Sequence, residues 1–321
     1  MINRRHLLAS LAFTALPTSS YGQNYPSRPV RMIVPFAPGG SVDTFGRLLS
    51  DRLSRSMGQQ FYVENIAGAT GNIGTGRAAK ADPDGQTILL AFSSHVINPA
   101  LFASLPYDPI KDFEPVTLAV SATHAIIVHP TVPATSLADL IALVKANPGK
   151  YSFAHGGVGT PGHLLGEQLR LTTGIDLAPV PFNGAGPAVT SVLTGHTPIG
   201  VTALSPAAPQ IADGKIRALA VTSASRARLM PQVQTTAEAG QPAIVGDLWV
   251  GVLLPARTPK AIADLLQKEI ATHLAAADLQ EKLAAVGFEP VGSTSEAFAN
   301  RMATEAAHWR SVIEAAKIKP L

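Results

Sequence analysis

Cysteine is absent from all 321 residues. That absence excludes disulfides, a cysteine nucleophile and attachment of a lipid to a cysteine. The chain also lacks G-x-S-x-G, S-x-x-K and H-E-x-x-H patterns, so the common hydrolase and zinc-protease signatures are missing. The nine histidines are scattered without an i, i+4 pair, and His124 and His129 read as strand residues rather than metal ligands. No metal site is expected from this pattern. Charge of one sign is scarce too. Of 25 basic residues two lie in the first 22 positions, which carry no acid, so the remainder has 23 basic against 22 acidic residues and a net charge of +1. A nucleic-acid partner is therefore not expected.

What is present begins with an address. Arg4 and Arg5 precede the apolar run "LLASLAFTAL", which is too short to span a bilayer and reads as the core of a secretory signal peptide. Small residues Ser20 and Gly22 place cleavage after Gly22, making residues 1–22 the leader. "NRRHLL" resembles a twin-arginine signal, and the general secretory route fits equally well. A soluble periplasmic monomer without a lipid anchor is expected.

Strand-like runs recur between Gly, Pro and polar clusters: "VRMIV" (30–34), "FYVEN" (61–65), "TILLAFS" (87–93), "AIIVH" (125–129), "YSFAH" (151–155), "LAPVPF" (177–182), "IGVTAL" (199–204), "IRALAVT" (216–222) and "WVGVLL" (249–254). Helical patterns lie between them. One runs from Val42 to Met57 behind Ser41 as N-cap and stops at Gly58; others cover 137–146, 161–173 and 187–194. Helix-rich stretches at 259–286 and 295–317 close the chain. The alternation predicts an α/β fold with mainly parallel sheets. Domain crossings are expected near 122–126 and 243–249, giving one domain of 23–124 plus 247–321 and a second of 125–246.

Three strands run into Gly-rich turns and then helices: "MIVPFAPGGSVD", "YSFAHGGVGTPGHL" and "APVPFNGAGPAV". First-turn N–H groups lack intrahelical partners and the helix dipole adds positive potential, so each turn is a seat for a carboxylate or phosphate. Pro161 and Pro187 suit a first helical position, where no N–H is needed. The bland reading, that strand-to-helix turns are Gly-rich anyway, competes at each turn. Three such turns at the carboxyl ends of parallel strands favour a ligand site. "GGVGTPG" also holds G-x-G-x-x-G at Gly157, Gly159 and Gly162, but Asp176 precedes the next strand and Asn183 stands where a ribose-binding acid belongs, so a dinucleotide enzyme fits poorly.

The segments "VPFAPGGSVDTFGRLL", "VENIAGATGNIGTGRAAKADPDG", "INPALF", "LPYDPIKDFEPVT", "GGVGTPGHLLGEQL", "VPFNGAGPAV" and "LMPQVQTTAEAG" closely resemble, in order, the tripartite tricarboxylate transporter solute-binding family, also called Bug proteins. The resemblance implies a type II periplasmic binding-protein fold, two α/β domains closing on a small organic carboxylate, with no catalysis and no cofactor. Its implied partners are the transporter's membrane subunits or a sensor domain. Carried over by position, it implies that Phe36, Ala37, Gly40, Ser41 and Asp43 form a first binding loop, with Ala69, Ser93 and Ser94 on the same wall. His155, Gly157, Thr160 and His163, with Asn183 and Gly184 beside them, would meet a second carboxylate. One stretch departs from the family pattern: "TGHTPIGVT" has Pro198 and Thr202 where relatives carry aspartates. Thr202 is then a neutral wall residue, and the ligand is expected to lack an ammonium group. An exported enzyme on the same scaffold is the alternative.

Overall fold

The computed structural model describes residues 25–321; the expected leader and its cleavage point lie outside the described residues. The chain opens with β1 (Val30–Val34), α1 (Ser41–Met57), β2 (Phe61–Asn65), α2 (Asn72–Ala79), β3 (Thr87–Phe92) and α3 (Ser94–Leu101). A long strand, β4 (Phe113–Val128), leads to α4 (Leu137–Lys145), β5 (Tyr151–His155), α5 (Pro161–Thr173) and β6 (Leu177–Pro181). Then come α6 (Ala185–Leu193), β7 (Ile199–Ala203), α7 (Leu204–Ala212), β8 (Arg217–Val221) and β9 (Asp247–Pro255). The chain closes with α8 (Lys260–Leu274), α9 (Ala277–Ala285), β10 (Glu289–Pro290) and α10 (Ser295–Ala315).

Two sheets share β4. In the first, β1 pairs in parallel with β2 and β3, while β9 runs antiparallel to β3 and β4. In the second, β5 pairs in parallel with β6 and β7, while β4 runs antiparallel to β7 and β8. Pairing passes from one sheet to the other inside β4, where Thr123 faces Asp247 of β9 and the next residue, His124, faces Ala203 of β7. The return path runs through Gly246, whose N–H bonds the Thr222 carbonyl just before β9 begins. The α/β architecture follows the alternation in the sequence. The sheets, however, are mixed rather than mainly parallel, because each crossing feeds an antiparallel strand into the receiving sheet. The register also sets the carboxyl ends of β3 and β7 beside this crossing, since Phe92 is level with Val250 and Val120 and Ala203 with His124.

Apolar periodicity explains the layers. Val42, Phe45, Leu49 and Leu53 of α1, with Ile262, Leu266 and Ile270 of α8, bury one face of the first sheet. The opposite face shares one continuous core with the second sheet: Phe298, Met302 and Trp309 of α10 join Leu89 and Trp249 to Phe153, Leu164 and Val201. Trp249 meets Phe298 edge-on at 5.3 Å. Deleting such a buried ring costs about 3–5 kcal/mol. The other face of the second sheet packs Ala154 and Ile127 on Val189 and Val192 of α6 and Leu204 of α7.

Candidate functional site

Loops leaving the first sheet meet at its carboxyl edge. Phe36, beyond β1, packs edge-on against Phe92 at 5.3 Å and lies against Gly71, beyond β2. Gly40, not Ser41, is the N-cap of α1; Ser41 is the first helical residue. No side chain caps this helix, so its first-turn N–H groups remain available beside exposed Ala37, Gly40 and Ser41. Asp43 is buried and bonded within the loop. Its Oδ2 accepts from Gly39 N–H at 2.9 Å and Arg47 Nε at 3.0 Å, and its Oδ1 from Asn65 Nδ2 at 2.9 Å. Burial acts to raise the Asp43 pKa, but the bonds from Arg47, Gly39 and Asn65 outweigh it and hold the carboxyl below the ordinary aspartate range. Asp43 thus orders the loop.

Ala69 is exposed in a short 3₁₀ turn, Ala69–Gly71, where it and Thr70 adopt positive φ of 47° and 55°. Asn98 of α3 holds this turn by donating to the Thr70 carbonyl at 3.2 Å and to Asn72 Oδ1 at 2.7 Å, which also accepts from Tyr107 at 2.7 Å. Ser93 closes β3 fully buried, and Ser94 opens α3 half-buried.

From the second sheet, His155 at the end of β5 stacks on His163 of α5, 4.3 Å between ring centroids. Gly159 N–H donates to His163 Nδ1 at 3.1 Å, so the His163 proton sits on Nε2, 4.0 Å from Glu167, a carboxylate paired with Arg170 at 2.7 Å. Burial pushes His155 down to about 4; burial, His155 and Arg170 together push His163 to about 3. Both rings are neutral at pH 7. Thr160 caps α5 by accepting from His163 N–H at 3.4 Å and donates its own hydroxyl to the Gly157 carbonyl at 2.8 Å. Of the three expected anion seats this one is therefore closed by its own side chain. The third is open: Gly184 is the N-cap of α6 without a side-chain cap, beside exposed Asn183. That helix starts at Ala185, so Pro187 is its third residue rather than its first. Gly162 is needed for contact, because a Cβ there would sit 2.5 Å from the Val201 carbonyl. A Cβ on Gly159 would overlap Leu101, the end of α3, so the two sets of loops touch here.

Among the described residues, the buried polar atoms without a hydrogen-bond partner include Ser93 Oγ, His124 Nδ1, His155 Nε2 and Thr202 Oγ1. These four lie at the ends of β3, β5 and β7 and at the crossing in β4. His124 was legible only as a strand residue; its 4 % exposure, its contact with the first turn of α5 and its unpaired nitrogen add it to the site. No lysine or arginine belongs to the set, so an anion here would be held by neutral dipoles. Among the described residues, no three His, Asp or Glu side chains group as metal ligands.

Residues 45–318 match the family described as the tripartite tricarboxylate transporter family receptor. The chain belongs to that family. BugT of Bordetella pertussis is 37% identical over 317 residues, covering 98% of this chain and 97% of BugT. Among solved structures, the periplasmic binding protein BugD is 33% identical with a TM-score of 0.73, covering 92% of this chain and 100% of its own. Rpa4515 from R. palustris, solved with adipate, is 32% identical with a TM-score of 0.76, covering 92% and 100%. MatC from Rhodopseudomonas palustris, solved with malate, is 29% identical with a TM-score of 0.72, covering 90% and 100%.

Proposed function

We propose that this chain is a periplasmic solute-binding protein that captures a small organic carboxylate between two lobes, 23–124 with 247–321 and 125–246, and hands it to the membrane subunits of a tripartite transporter. The observation that carries this reading is the set of buried, unpaired polar atoms on Ser93, His124, His155 and Thr202, at the ends of β3, β5 and β7 and at the crossing in β4, together with the uncapped starts of α1 and α6. A buried polar atom left unpaired costs about 1–3 kcal/mol. Such atoms at the strand ends around the crossing are accounted for by ligand oxygens, or by water that the ligand displaces. The uncapped helix starts add N–H donors and positive potential for carboxylate groups. Adipate and malate in two structural relatives support the ligand class.

The lobes are joined at Thr123–His124 and Gly246–Asp247, so closure turns on those crossings and brings the loops after β1 and β3 against those after β5 and β6. The ligand is a carboxylate without an ammonium group. Thr202 supplies no charge, and the one acid of the first loop, Asp43, spends both oxygens on Gly39, Arg47 and Asn65. An unpaired buried ammonium would cost several kcal/mol. A thermal-shift screen of mono-, di- and tricarboxylates tests this: a dicarboxylate should raise the melting temperature and return from prolonged incubation with unchanged mass. A ligand consumed during incubation would instead identify an enzyme.

A further inference from the structure

A cavity of about 310 Å³ opens where α7 and the segment before β9 face α9 and β10, and none of its lining residues belongs to the carboxylate site. Its walls come from both layers: Leu204 and Leu229 on one side, Ala284 and Phe288 on the other. Thr123, at the crossing in β4, lies on the wall between them. The two sides are in close contact, since a Cβ on Gly287 would sit 2.5 Å from the Ser205 side chain. Leu229 is 49 % exposed at this opening.

The polar groups have an orientation. The Arg228 guanidinium is exposed and holds no carboxylate among the described residues, while the Arg228 N–H is tied to Glu289 Oε1 at 2.9 Å. The Ser205 hydroxyl, also on the wall, donates to no protein acceptor among the described residues. A ligand with one negative end would meet Arg228 and extend an apolar body between Leu204 and Phe288. Glu289 sets a limit of one charge, because a second carboxylate in a cavity this small would face it. The volume is at the lower end of small-molecule pockets.

We propose that this cavity is a second binding site, separate from the carboxylate cleft, for a small amphipathic monocarboxylate with an apolar chain. Because both lobes line it, an occupant favours the lobe arrangement that forms it and links the two sites.

Calorimetric titration of the full chain with octanoate tests the proposal. Octanoate should bind the wild type and Gly40→Asp with equal affinity and bind Arg228→Gln roughly tenfold more weakly, for one lost charge-assisted hydrogen bond. It should not bind Ala284→Trp, whose exposed position on α9 accepts the ring, while adipate binding by that variant persists. No octanoate binding to the wild type would overturn the proposal. So would loss of octanoate in Gly40→Asp with retention in Ala284→Trp, which would place it in the carboxylate cleft.

Discussion

Gly40→Asp should abolish carboxylate binding while making the protein slightly more stable. Gly40 has φ −76° and ψ 168°, which any residue adopts, and a Cβ there would meet only the Ala37 carbonyl at 3.8 Å. Because Gly40 is the N-cap of α1, a new aspartate can accept from the first-turn N–H groups and complement the dipole. Replacing glycine by a good N-cap contributes a few tenths of a kcal/mol, and a negative charge at a helix start about 0.3–1 kcal/mol. In a chain of this size that is a rise of about one or two degrees in Tm. The same carboxylate takes the N–H groups proposed for the ligand and repels its charge. Hydrogen bonds to a charged group contribute about 1.5–3 kcal/mol each, so losing two or three removes about 3–9 kcal/mol. A micromolar ligand has about 8 kcal/mol in all and becomes millimolar on losing about 4. Calorimetry with the best carboxylate of the screen, beside scanning calorimetry of the free protein, should show the two changes together. Gly40→Asn, which caps without charge, should fall between. Affinity within threefold of wild type in Gly40→Asp, with normal circular dichroism, would refute the reasoning.

Asp43→Ala removes a buried acceptor of bonds from the Gly39 N–H, Arg47 and the Asn65 amide, so it should lower stability by about 1–3 kcal/mol and weaken ligand binding at least tenfold; an unchanged denaturation midpoint would contradict the loop-ordering role. Acid should unfold the protein early. Burial pushes His95, His124 and His155 to about 4 and, with its charged and imidazole neighbours, His163 to about 3. These groups bind protons in the unfolded state from pH 6.5 downward but not in the folded state, so stability falls as pH drops from 6.5 toward 4. Asp247, raised to about 6 by burial despite Arg301, takes up a proton in the folded state over that window and offsets one imidazole. Three net protons correspond to up to about 4 kcal/mol per pH unit near pH 5, and a urea midpoint flat from pH 7 to 5 would sink this argument. Between matched ligands, succinate should bind more tightly than aspartate and glutarate more tightly than glutamate; an amino acid tighter by about tenfold would show that a carboxylate or carbonyl group takes the ammonium.

The sequence made the strand-to-helix turns legible and left obscure the long strand that carries the chain into the first crossing. The extents of β1, β2, β5 and α5 coincide with the sequence reading because Gly, Pro and polar residues bracket each apolar run. The first half of β4 is not legible in the sequence, since "FEPVTLAVSAT" has no clean alternation, and Pro115 sits where bulges shift the register against β9. Helix α2 hides behind Gly74 and Gly76, α3 behind Pro99, and α7 behind Pro206 and Pro209. With β4 truncated in that reading, the mixed sheets could not be inferred. The resemblance sets Asp43 in the first binding loop, and that its carboxyl is held by Asn65, 22 residues away, is visible only in the fold. His124 carries the same lesson. A strand histidine with an unpaired nitrogen is visible only when the strand is known to pass between two sheets.

A crystal structure of the chain with the best carboxylate from the screen tests the central claim most directly. The carboxylate groups should lie within hydrogen-bond reach of N–H groups at the starts of α1 and α6, with ligand or bridging water on Ser93 Oγ, His155 Nε2 and Thr202 Oγ1. A ligand bound elsewhere, with those three atoms still unpaired, would contradict the account.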